Sequence, residues 1–237
     1  MKYFVPLECN PDVFNRLAHS MGVPDSMEFV DVYSLSQDML EFVPRPAHAL
    51  ILVFPVSPAY EEYRHTQDAD RPEYSLCGDQ EDALWFKQTI GNACGTYALI
   101  HASLNGDVQK SLIPGSFFEN LLKQAAPADP LHRTEILEQS KELETLHSNV
   151  AQSGDTEAPA ADSSIDLHYV CFTKSAKTGH IFELDGRRKG PIDLGPLESP
   201  EHDVLSSEVT THVQAFIDRE SASGNPNFSM IALVSKY

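Results

Sequence analysis

Residues 49–54 read ALILVF, a continuous apolar run of strand length with no polar position on either parity. A strand apolar on both faces belongs in the middle of a sheet, covered on both sides. Residues 228–234, FSMIALV, predict another apolar strand, and 29–33 and 191–194 predict two short ones. Two segments alternate instead. In 166–172, DLHYVCF, His168, Val170 and Phe172 share one face, and in 180–185, HIFELD, Ile181, Glu183 and Asp185 share one. The seven residues between them, TKSAKTG, are turn material, so the two segments predict a hairpin. Centring it between Ala176 and Lys177 pairs Phe172 with Ile181, Val170 with Glu183 and His168 with Asp185.

Helical spacing accounts for most of the remainder. Residues 6–22 predict a helix entered through Asn10-Pro11, since proline is favoured just inside a helix start. A helical turn is expected at 36–42 and a surface helix at 59–66, followed by an acidic, polar loop over 67–83. Phe117, Phe118, Leu121 and Leu122 mark a further helix. Residues 131–147 mark another, with Leu131, Ile136, Leu137, Leu143 and Leu146 apolar and charges opposite, and 203–219 are amphipathic. Between these, 148–164 read SNVAQSGDTEAPAADSS, with one β-branched apolar residue and no aromatic. That stretch buries too little apolar surface to offset its ordering entropy and is expected to be mobile in the free protein. Loops this long inside a compact domain are usually functional or linkers.

Composition narrows the function classes. The chain has 237 residues, 41% hydrophobic and 22% charged, enough for one large domain or two small ones. Its 35 Asp+Glu against 17 Lys+Arg give a formal net charge of −18, which disfavours nucleic acid and anionic membranes and favours a basic partner. Cys9, Cys77, Cys94 and Cys171 are widely separated and form no C-x-x-C pair, so neither a disulfide framework nor a zinc ribbon is indicated. No apolar run approaches the roughly 20 residues that span a bilayer, and MKYFVPLE has no signal-peptide core. The cytosol is the expected compartment, with the nucleus open to it.

One stretch concentrates candidate chemistry. In 88–104, QTIGNACGTYALIHASL, a loop runs into a helix carrying Tyr97, Ala98, Ile100, Ala102 and Leu104, with Asn92 as its expected N-cap and Gly106 as its stop. Cys94 falls in the first turn, where free N–H groups and the helix dipole favour an anion and hence the nucleophilic thiolate. A buried structural cysteine is the plainer reading of Cys94 by itself. Gln88, six residues upstream, is placed to offer an amide N–H to an oxyanion together with the Cys94 backbone N–H. His168 facing Asp185 supplies the complement, a carboxylate that fixes the imidazole tautomer and stabilises the imidazolium. His101 lies seven residues after Cys94, about 10 Å along the same helix and too far to take its proton. His180 has the opposite strand parity to Asp185.

With NACGT inside the Gln88-to-Ala102 run, DLHYVCF and GHIFELDG downstream in order, and FVPLECNPDVFN and VPRPAHALILVFPVS upstream, the chain resembles the ubiquitin C-terminal hydrolases over nearly its whole length. These are papain-like cysteine peptidases. The resemblance implies an α+β fold, a central antiparallel β-sheet flanked by helices with a knotted backbone, in a single catalytic domain over 1–237. It implies Cys94 as nucleophile, His168 as general base and acid, Asp185 as orienter and Gln88 as oxyanion donor, with 148–164 as a crossover loop at the active site. It further implies a monomer that cleaves small adducts or short unstructured extensions from ubiquitin's C-terminal glycine through a thioester, without cofactor or metal.

Three alternatives stay open at this level. The modifier could be a ubiquitin-like protein such as NEDD8; the chain could bind ubiquitin with little turnover; or the Cys-His-Asp order could serve arylamine acyltransferase-like or transglutaminase-like chemistry on small acyl donors.

Overall fold

The computed structural model describes residues 2–221, 224 and 227–236; Met1 and Tyr237, the ends of the expected 1–237 domain, lie outside the described residues. The helices are α1 (Pro11–Met21), α2 (Gln37–Leu40), α3 (Pro58–Asp68), α4 (Cys94–Ser103), α5 (Phe117–Ala125), α6 (Pro130–Gln139), α7 (Lys141–Val150) and α8 (Ser207–Ser221). The strands are β1 (Met27–Asp31), β2 (Ala47–Pro55), β3 (Leu167–Lys174), β4 (His180–Leu184), β5 (Ile192–Pro196) and β6 (Ser229–Ser235). They form one six-stranded sheet in the order β1-β6-β2-β3-β4-β5. Every neighbouring pair is antiparallel. The expected α+β class with a central antiparallel sheet and flanking helices is what the chain adopts.

The run at 49–54 is the middle of this sheet, between β6 and β3. Its odd positions Ala49, Ile51 and Val53 join one core with Phe14 and Leu17 of α1 and Leu99 and Ile100 of α4. Its even positions Leu50, Leu52 and Phe54 join a second core with Tyr60 of α3 and Val213 and Phe216 of α8. Period-two geometry sends alternate side chains to opposite layers, which is why both parities had to be apolar. Helix α4 is buried from Gly95 to Ser103, so it is a core element with no solvent face.

Three local expectations are corrected. Helix α1 begins at Pro11, not at residue 6, because Asn10 is extended and its side chain accepts from the Asp12 N–H as a cap. The residues before it run alongside the loop ahead of α4, with Phe4 N–H donating to Gly91 O at 2.9 Å and Gly91 N–H to Lys2 O at 2.8 Å. The helix expected over 131–147 is two, α6 and α7, broken at Ser140, which is extended and caps α7 through Leu143 N–H. The hairpin register differs too. Phe172 pairs with Glu183 and Lys174 with Ile181, a shift of two residues from the expected pairing. A shift of two preserves parity, so Asp185 stays on the His168 face, whereas a shift of one would have removed it.

Candidate active site

Cys94 is the first residue of α4, and the residue at the N-cap is Ala93, which has no side chain to cap with. The expected Asn92 cap is therefore a correction. Asn92 sits in the left-handed region at φ 55, and its side chain turns outward to donate to Ala161 O at 2.9 Å and Ser163 O at 2.7 Å. Left-handed backbone is unsuited to an N-cap, which needs extended dihedrals. The first turn of α4 thus has no side-chain cap at the end that carries the sulfur.

His168 lies on β3 opposite Phe54 of β2 and is buried, 3% exposed. Its Nε2 is 2.7 Å from Asp185 Oδ1. An ionised carboxylate only accepts, so Nε2 carries the proton and Nδ1 is the ring nitrogen left for a second partner. The Cys94 side chain lies near enough to this ring to raise its proton affinity. Burial disfavours the imidazolium, but the Asp185 charge and hydrogen bond, with the Cys94 contact, outweigh it and raise His168 from 6.5 to about 9.

Asp185 follows the last residue of β4 and is 1% exposed. Burial would raise its carboxyl, yet the His168 charge and hydrogen bond, the Tyr60 hydroxyl and the Arg187 N–H hold it well below the usual carboxylate range. Tyr60 Oη donates to Oδ2 at 2.6 Å, Arg187 N–H to Oδ1 at 2.8 Å, and the indole N–H of Trp85 to the Asp185 carbonyl at 3.0 Å. Every oxygen of this residue is therefore held from a different segment.

Gln88 lies against the residue after Asp185. Its N–H donates to Gly186 O at 2.8 Å, and a Cβ placed on Gly186 would fall 2.8 Å from Gln88 Cβ, so only glycine lets the two segments approach this closely. Gln88 Nε2 donates to Ile90 O at 3.1 Å, while Oε1 is buried without a partner. The 81–88 segment is fastened from behind by Arg133, fully buried, which pairs with Glu81 and donates to Trp85 O at 3.0 Å and Ala125 O at 2.9 Å.

The structure thus joins His168 to Asp185 by a hydrogen bond, brings Cys94 near the same ring, and sets Gln88 against the residue after Asp185. His101 is elsewhere: its Nε2 accepts from Phe86 N–H at 3.0 Å, and burial pushes it down to about 4. His180 points the other way, to Asp193 at 2.9 Å. A cleft of about 460 Å³ opens at Cys94, walled by Leu7, Val53 and Tyr169 on one side and by Thr156, Ala158 and Pro159 of the loop after α7 on the other. Sequence reasoning missed Tyr60 and Trp85. Trp85 is the single tryptophan and invited attention, whereas nothing local marks Tyr60, whose partner lies 125 residues away.

The family described as "Ubiquitin carboxyl-terminal hydrolase, family 1" matches residues 4–218. Ubiquitin carboxyl-terminal hydrolase 3 of Arabidopsis thaliana is 37% identical over 234 residues, covering 98% of this chain and 94% of that protein. Ubiquitin carboxyl-terminal hydrolase YUH1 of Saccharomyces cerevisiae is 34% identical, covering 97% and 94%. The isozyme L1 of Homo sapiens is 32% identical, covering 96% of each chain. In three dimensions the chain is similar to the Trichinella spiralis UCH37 catalytic domain solved with ubiquitin vinyl methyl ester, with a TM-score of 0.74 at 20% identity, covering 100% of this chain and 97% of that one. By sequence over nearly all its length, and with a matching fold, this chain belongs to the ubiquitin carboxyl-terminal hydrolase family.

Proposed function

We propose that the chain is a cysteine-type ubiquitin hydrolase that releases small adducts or short unstructured extensions from ubiquitin's C-terminal glycine. Cys94 is the nucleophile, His168 the general base and acid, Asp185 the orienting carboxylate and Gln88 an oxyanion donor. The observation that carries this reading is the His168 ring held by Asp185, with the Cys94 side chain near the same ring at an uncapped helix tip.

With His168 raised to about 9, its ring is an imidazolium beside the Cys94 sulfur near neutral pH. Thiolate attack on the glycine carbonyl makes a tetrahedral oxyanion. The Cys94 backbone N–H and the second N–H of the Gln88 amide are its donors. His168 then passes its proton to the departing amine as the carbon–nitrogen bond breaks, leaving a thioester. Water, losing a proton to His168, attacks that thioester and frees ubiquitin's carboxylate and the thiolate. The net charge of −18 steers a basic partner toward the molecule. Support for ubiquitin as that partner comes from the relatives' names and from the ubiquitin-bound Trichinella spiralis structures.

The test is labelling with ubiquitin carrying a C-terminal vinyl methyl ester. One ubiquitin should add to the intact protein and none to Cys94→Ala; failure of the intact protein to label overturns the reading. Matched fluorogenic amides of ubiquitin and NEDD8 then decide which modifier is preferred.

A further inference from the structure

The segment between α7 and β3 forms one wall of the Cys94 cleft, and two polar side chains fix it there from opposite anchors. The first is Glu8. Its Oε1 accepts from Asp155 N–H at 3.3 Å and Asn10 Nδ2 at 3.2 Å, and its Oε2 accepts from Thr156 N–H at 2.9 Å and from the Thr156 hydroxyl. Four donors converge on one carboxylate, and the hydrogen bonds from Thr156 hold its pKa below the ordinary glutamate value. The loop backbone is seated hard against this group: a Cβ on Gly154 would fall 2.5 Å from Glu8 Oε2 and 3.2 Å from Glu8 Cβ. The anchor beneath is itself fixed, because the Tyr169 hydroxyl donates to Leu7 O at 2.8 Å and Leu7 packs on Gly95, beside Cys94.

The second is Asn92. Two residues before Cys94, its amide donates to the Ala161 and Ser163 carbonyls, farther along the same segment. The two side chains use opposite chemistry. Glu8 offers only acceptors to loop N–H and hydroxyl groups, and Asn92 offers donors to loop carbonyls. Between them the backbone from 155 to 163 is suspended across the cleft.

We propose that Glu8 and Asn92 form a two-point latch that holds the 151–166 segment over Cys94 and thereby sets how large a group can leave the cleft. This rests on the hydrolase reading for its effect on substrates, though not for the latch itself. Glutamine at position 8 keeps the volume but has a single acceptor oxygen, so either amide orientation sets an NH2 against N–H donors. Aspartate at position 92 tolerates the left-handed backbone but turns two attractions to carbonyls into repulsions.

The experiment measures amide hydrogen–deuterium exchange over 151–166 in the free protein. It also measures the ratio of cleavage of ubiquitin fused to a folded domain to cleavage of ubiquitin aminomethylcoumarin. In Glu8→Gln, exchange at Asp155 and Thr156 should quicken about tenfold, the equivalent of one charge-assisted hydrogen bond. The cleavage ratio should rise about fivefold, as a larger fraction of molecules is open. Asn92→Asp should quicken exchange around residues 161–163. Unchanged exchange in both variants overturns the latch, and faster exchange with an unchanged ratio overturns its control of leaving-group size. If the unmodified protein cleaves neither substrate, the hydrolase reading fails and the exchange data still decide whether the latch exists.

Discussion

Asp185 meets His168 from the residue just past the end of β4, with Oδ1 2.7 Å from Nε2. The β3–β4 ladder itself stops at Cys171 with Leu184, so the two residues touch beyond the hydrogen-bonded register. Their contact depends on Asp185 being turned back by its other partners, Tyr60, Trp85 and Arg187, and not on the hairpin alone.

Asp185→Asn tests the consequence. The amide can present its NH2 to Nε2 and so favour the wrong tautomer, the effect that lowers kcat about 10⁴-fold in serine protease triads. Here kcat on a fluorogenic ubiquitin amide should fall roughly 10²- to 10⁴-fold with KM little changed. A loss under about threefold would show that the carboxylate does not orient the ring.

Tyr60→Phe removes one donor and leaves Asp185 Oδ2 buried and unpaired, at a cost of about 1–3 kcal/mol. Still ionised but with one competing donor gone, Asp185 becomes a stronger acceptor for the imidazolium, so the His168 value should move up from about 9. The alkaline limb of the kcat/KM profile should shift to higher pH. A variant that is merely less stable, with an unmoved profile, contradicts this.

The same pair makes stability depend on pH, and the two signs differ. His168 is raised on folding, so its contribution is complete below 6.5 and is lost as pH rises through about 9. Asp185 is lowered on folding, so its contribution is present above 3.8 and is lost as pH falls below that. Melting temperatures of the protein and of His168→Asn should differ most near pH 5–6 and converge by about pH 9–10. A constant difference across that range would refute the assignment.

How far the sequence alone reaches can be judged from particular residues. The sheet's central strand was legible because burial on both faces needs only that 49–54 be apolar throughout. Cys94 at the start of a helix was legible for a similar reason, since glycine, asparagine and periodic apolar residues are local signals. Register was not, because the turn that sets it can slide by two residues without exposing any apolar side chain. Asn92 has a cap's identity but a left-handed backbone, imposed by the way the loop enters α4. Tyr60, Glu8 and Arg133 carry no local mark, as Asp185, Thr156 and Glu81, which they bind, lie 125, 148 and 52 residues away.

Arg133 shows what that distance costs. It is fully buried against Glu81, whose side chain is 5% exposed, and Arg133→Met would strand that carboxylate. Breaking a buried pair from one side typically costs about 3–5 kcal/mol. Denaturant midpoints should fall accordingly, and adding Glu81→Gln should recover part of the loss. A single variant within about 0.5 kcal/mol of the parent would mean the pair is dispensable.

Strand β6 is inserted between β1 and β2, both of which precede it by most of the chain's length. In chain-order synthesis the β1 and β2 edges that β6 will join therefore stay unpaired, the β2 edge largely apolar, until β6 has been made. The vulnerable interval in folding is thus the one before that late strand inserts, when the open edge is a template that a holdase chaperone would shield.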